Sequence, residues 1–151
     1  MTLRWLMALL HLLALPIGVA AVYLRARALR ALARGGDPAP AVSADLWWAI
    51  AAFLWIATGL YRYLGGLEKP ASYYNYNWLF HSKMIALGLI LLLELRPIVV
   101  IGRWRARLRK QQPIDTAAAD AMATTSYVQL LLAVLMIVAA TGMARGLGFF
   151  G

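Results

Sequence analysis

The chain has 151 residues, of which 63% are hydrophobic and only 14% charged, with a formal net charge of +9 and no cysteine. Soluble domains are about half apolar and about a quarter charged; here the excess falls into four blocks, which excludes an ordinary soluble domain. Without cysteine there is no disulfide, no iron–sulfur cluster and no CxxCH haem attachment, and the basic residues flank apolar blocks as membrane topology demands, so nucleic acid is not an expected partner.

The length fits one domain. The first block runs from Trp5 to Leu24, long enough for one spanning helix. A signal peptide, with Arg4 as its charged start and GVAA as its cleavage site, is the competing reading. Against it stand the length of the block, His11, Pro16 and the basic run RARALRALAR that follows. Pro16 removes a backbone donor and is a candidate kink. Arg25, Arg27, Arg30 and Arg34 are expected to continue the helix as a solvated extension. The stretch GGDPAPAVSAD then breaks it, and Ser43 or Asp45 is the expected N-cap of the next helix.

The second block spans Leu46 to Leu64. Trp47 and Trp48 mark one interface, and Tyr61 and Tyr63 the other. Trp55, Thr58 and Arg62 fall on one side at helical spacing. Arg62 is read either as a snorkelling residue at the helix end or as a buried functional arginine. Gly65 and Gly66 fit the end of the helix.

The loop LEKPASYYNY leads into the third block, Asn77 to Leu95, through the stretch YYNYNWLFHSK. Aromatic rings of this kind favour the headgroup layer, and His81 and Lys83 sit just inside the hydrocarbon edge, where ionisable groups are costly. The helix is expected to bend at Pro97 and run on into IGRWRARLRK. QQPID reads as a turn, with Asp115 or Thr116 capping a short helix, AAADAMA. The fourth block spans Thr125 to Ala144. It holds Gln129 and ends in GMARG, a small-xxx-small pattern that permits close helix contact.

Four spans place Arg25, Arg27, Arg30, Arg34, Arg103, Arg105, Arg107, Arg109 and Lys110 on one side, nine in all. The other side holds Arg4, Arg62, Lys69 and Arg145, which is four. Positive charge marks the cytoplasmic face. Both termini and the YYNYN loop are therefore expected outside the cytoplasm of a bacterial inner membrane. The GRWRARLRK run is also suited to anionic lipid.

In this topology polar side chains converge on the outer half of the bundle. His11 lies about 9 Å inside Trp5, and His81 about 4–5 Å inside Trp78. Neutral imidazoles on two helices are what a low-spin haem b requires as axial ligands. Gly18 and Gly88 would leave room for the macrocycle, and Arg62 could pair with a propionate. The cofactor-binding candidates are thus His11, His81, Arg62 and Lys83, with His11 and His81 as iron ligands. The plainer alternative is that each histidine is hydrogen-bonded to a neighbouring helix. Zinc or di-iron chemistry has too few ligands, and neither a phosphate-binding glycine loop nor a nucleophile elbow is present.

The run GLEKPASYYNYNWLFHSKMIALGLILLLELRP resembles an uncharacterised bacterial membrane-protein family, a domain of unknown function. The matching positions are Lys69, Tyr73, Tyr74, Asn77, Phe80 and Lys83, with Pro70 where the family pattern has glycine. The early His11 and the ATGLYR ending of the second block also match. This resemblance implies four helices. A more distant resemblance joins His11, His81 and Lys83 to HemJ-type protoporphyrinogen oxidases, and the general build to CopD-like copper proteins. The expectation is an all-α integral membrane bundle of four transmembrane helices. Its expected function is that of a haem- or porphyrin-associated redox protein, or else of a non-catalytic structural or accessory subunit. Possible assemblies are a homo-oligomer or a larger membrane complex.

Overall fold

A computed structural model describes residues 2–65 and 71–150. Gly66, Lys69 and Pro70, each given a part above, lie outside the described residues. The helices are α1 (Thr2–Leu32), α2 (Ala39–Leu64), the short α3 (Ala71–Asn75), α4 (Trp78–Arg109) and α5 (Ala119–Ala144). The four long ones are each long and apolar enough to cross a membrane. The fold is all-α, as the four apolar blocks require, because a helix satisfies its own backbone in lipid.

Helix α1 packs along α2 on one side and α5 on the other, and α5 packs in turn on α4. Helices α2 and α4 meet at few points. Side chains close that gap: Tyr63 stacks on Phe80, with ring centroids 5.6 Å apart, at one end, and polar groups of α2 and α4 bond near the other.

Exposed large apolar residues mark the lipid-facing band. On α1 they end at Leu24, and on α2 they begin at Leu46. On α4 they run from Trp78 to Val99, and on α5 they begin at Tyr127. From Trp5 to Leu24 is about 28 Å of helix, close to the roughly 30 Å hydrocarbon thickness of a bilayer. Beyond this edge the helices continue as a basic-end extension with its own core. Leu29, Leu32, Ile101, Trp104 and Met122 are buried there. A second core within the band contains Val22, Trp48, Ile90 and Met136.

Several local expectations are corrected. Helix α2 starts at Ala39, so Ser43 and Asp45 lie inside it. Asp37 is the capping side chain; its Oδ1 accepts the Ala39 N–H at 2.9 Å. Pro40 is tolerated because a first-turn N–H has no intrahelical partner to lose. AAADAMA forms no separate helix: from Ala119 on it is the first part of α5. Arg25 belongs to no solvated extension, since it is completely buried. The prolines interrupt neither α1 nor α4, each of which is assigned as one helix.

The YYNYN stretch closes the end of the bundle opposite the basic end. Asn77 caps α4, its side-chain oxygen accepting from Leu79 N at 3.0 Å, while its amide donates to Leu147 O at 2.9 Å. Trp78 N donates to Gly148 O, and Phe150 N to Tyr76 O. Tyr73 reaches across to donate to the Met143 carbonyl at 2.8 Å. The chain end after α5 is thereby stitched to the entrance of α4. GMARG serves this same closure. Gly142 lies against Leu79, where an added Cβ would come within 3.1 Å, and Gly146 adopts φ +80° just past the helix.

Candidate functional site

Charges at the edge of a membrane helix must be neutralised or reach water. Arg25 directly follows the apolar run of α1, Asp45 directly precedes that of α2, and Ser126 that of α5. Glu94 lies inside the run of α4. Folding brings these positions to one level, where they form a single polar layer between the two apolar cores.

The Arg25 guanidinium is the hub. Its Nε donates to Ser126 Oγ at 3.1 Å. One terminal nitrogen donates to Asp45 Oδ1 at 2.9 Å and to Glu94 Oε1 at 2.6 Å. The other donates to Glu94 Oε2 at 2.9 Å and to Gln129 Oε1 at 2.7 Å. All five N–H groups of the side chain are therefore used. Glu94 Oε2 also accepts from Trp48 Nε1 at 3.1 Å and from Gln129 Nε2 at 2.6 Å. Asp45 Oδ2 accepts from Arg105 at 3.3 Å, and Arg105 is one-third exposed. The signs alternate from Glu94 through Arg25 and Asp45 to Arg105, so two acids and two bases sum to zero. The Trp48 ring lies 5.7 Å from the Arg25 guanidinium carbon. Among the described residues, no buried side-chain nitrogen or oxygen lacks a hydrogen-bond partner.

All four spanning helices contribute to this layer. Helix α1 gives Arg25, α2 gives Asp45 and Trp48, α4 gives Glu94 and Arg105, and α5 gives Ser126 and Gln129. Sequence reasoning missed it because Arg25 was grouped with the topology-setting arginines. One signal pointed to it: Glu94 is an acid within an apolar block, and such a residue requires a cation on another helix.

The sequence-derived candidates occupy the opposite end. His11 is half-buried on α1 and turned towards α2. Its Nδ1 lies 2.9 Å from Thr58 Oγ1, and its Nε2 accepts from Trp55 Nε1 at 3.0 Å. Thr58 donates its own proton to the Leu54 carbonyl. This chain of donors assigns His11 as neutral, with the proton on Nδ1. Gly59 makes the room, because a Cβ there would stand 3.2 Å from the imidazole.

His81 is exposed on α4, with Nε2 3.0 Å from the Asn75 carbonyl oxygen. Helices α1 and α4 do not form one of the packed pairs; His11 bonds to α2, and His81 to the carbonyl of Asn75. The space over Gly18 is taken by Ala51 and Trp48, whereas Gly88 faces open space. Arg62 and Lys83 are both half-buried. Lys83 lines a groove between α4 and α5 with Trp78, Ser82 and Leu135. To bind iron, His11 would have to release Trp55 or Thr58. Among the described residues, no three His, Cys, Asp or Glu side chains are grouped to hold a metal ion.

A family described as a predicted membrane protein (DUF2214) matches residues 3–148. No curated protein and no solved structure matches the chain.

Proposed function

The chain belongs to the DUF2214 family of predicted membrane proteins, and we propose that it acts as a non-catalytic structural or accessory component of the membrane. The observation that supports this reading is the saturation of Arg25. All five of its donors are bonded, and both Glu94 oxygens accept from neighbouring side chains. A catalytic or transport site keeps donors or acceptors open for its substrate. A charge group closed on itself ties four helices into one body and fixes their register. Around it lies a broad apolar surface, including Phe53, Leu92, Leu131 and Val138, part of which packs against another membrane protein.

In this reading the basic end lies in the cytoplasm of a bacterium, and both termini lie outside it. The nine-to-four distribution of basic residues supports that orientation. The run from Arg103 to Lys110 then faces anionic lipid headgroups.

Photo-crosslinking in native membranes tests the proposal. A photoreactive residue placed at Leu131, on the apolar face of α5, is expected to give discrete protein adducts, either a dimer or a heavier complex. Adducts to lipid alone from Leu131, Leu92 and Phe53 would overturn it. The redox alternative, with haem b held by His11 and His81, requires rearrangement of the His11 bonds. It is separated by the visible spectrum: a Soret band that is lost in both His11→Ala and His81→Ala would replace the accessory reading.

A further inference from the structure

We propose that the groove between α1 and α2 at the basic end binds one anionic phospholipid, with an acyl chain against Ile17 and Leu24 and the phosphate at Arg27 and Ser43. The groove has a volume of about 770 Å³ and crosses the edge of the apolar band. Below the edge its walls are Ile17, Leu24 and Trp47, all exposed where lipid is the solvent. Its floor is low because Ala20, Ala21 and Ala44 stand where larger side chains would fill it. Above the edge it ends in one cation and one hydroxyl. The apolar-to-cationic order along the groove matches the order of parts in an anionic phospholipid.

Three features direct the charge. The Arg27 guanidinium carbon lies 5.9 Å from the Tyr23 ring centroid, which keeps the cation folded back at headgroup level. Ser43 sits near the start of α2, where the helix dipole presents its positive end. The nearby acids are committed elsewhere: Asp45 pairs with Arg25 and Arg105, and Asp37 caps Ala39. Among the described residues, no carboxylate forms an ion pair with Arg27. A zwitterionic lipid would bring its ammonium towards this same uncompensated cation, so the site favours a headgroup with net negative charge.

The site is independent of whether the protein has a subunit partner. The full chain would be reconstituted in nanodiscs of equal phosphatidylcholine and phosphatidylglycerol, and the lipids retained after gentle release counted by native mass spectrometry. The wild type is expected to keep one phosphatidylglycerol in preference to phosphatidylcholine. Arg27→Ala should lower that preference about fivefold, the weight of one cation near a membrane surface, and Arg27→Lys should keep most of it. Ala20→Trp, which fills the groove from an exposed position, should abolish retention with the charge intact. Arg34→Ala, an exposed cation just past α1, should leave the preference unchanged. Equal retention by Arg27→Ala and wild type would overturn the site, and so would an equal loss in Arg34→Ala, which would reduce the effect to general surface charge. A thermal melt of each variant confirms that the comparison is between folded proteins.

Discussion

Arg25 and Glu94 are joined by two parallel charge-assisted bonds of 2.6 and 2.9 Å between α1 and α4, helices that are not a packed pair. The bond crosses the bundle along its diagonal. It links residues that are 69 apart in sequence, and it makes the polar layer a brace between two helices that do not pack directly along each other.

Removing one partner of such a pair leaves the other charge buried and uncompensated, at a cost of about 3–5 kcal/mol. Glu94→Gln and Arg25→Met are each expected to lower the midpoint of denaturant unfolding in detergent accordingly. The double variant Arg25→Met/Glu94→Met should lose less than the sum of the two, since Asp45 retains Arg105. Single variants that unfold like the wild type would show that the brace carries no stability.

Gly148 and Gly146 form a matched test of the closure opposite the basic end. Both have left-handed backbone, φ +81° and +80°. At Gly148 a Cβ would also stand 2.7 Å from Leu79 and 2.8 Å from Asn77. Gly146→Ala should cost about 1 kcal/mol from the backbone alone, and Gly148→Ala more, because Leu79 and the α4 cap must shift. Thermal melting separates them; equal effects would mean that the close approach at Gly148 is not maintained.

The bond between His11 and Trp55 is open to a double-mutant cycle. His11→Ala leaves the Trp55 N–H without its acceptor, and Trp55→Phe leaves the imidazole nitrogen without its donor. Leaving one such group unsatisfied costs about 1–3 kcal/mol, and the pair should show a coupling of about 0.5–3 kcal/mol. Additive effects in the stability measurement would place the two rings in separate environments.

The orientation is read with reporters. Alkaline phosphatase fused after Gly151 should be active in the periplasm of a bacterial host. A cytoplasmic reporter fused within the Gln111–Ile114 turn should be active instead. The reverse pattern would invert the molecule and place the basic end outside.

Composition and hydropathy determined by themselves that this is an all-α membrane protein with four spanning helices, because continuous apolar runs of about 20 residues satisfy their backbone in lipid as helices, whereas barrel strands are about 10 residues long and alternate. Aromatic and basic flanks located the band edges, and the YYNYN stretch marked a helix entrance. These are one-dimensional properties: each depends on a residue and its near neighbours in the chain. The tertiary structure decided which polar residues meet. Arg25, Asp45, Glu94 and Gln129 stand on four different helices, and each has a bland reading when taken alone, as a topology signal, a cap, an isolated acid or a polar residue in an apolar run. The same limit applies to His11 and His81. Depth along the membrane follows from counting residues, but which helix faces which follows from packing, and packing set His11 against Trp55 and Thr58 on α2. A buried charge announces that it needs a partner; only the arrangement of the helices names it.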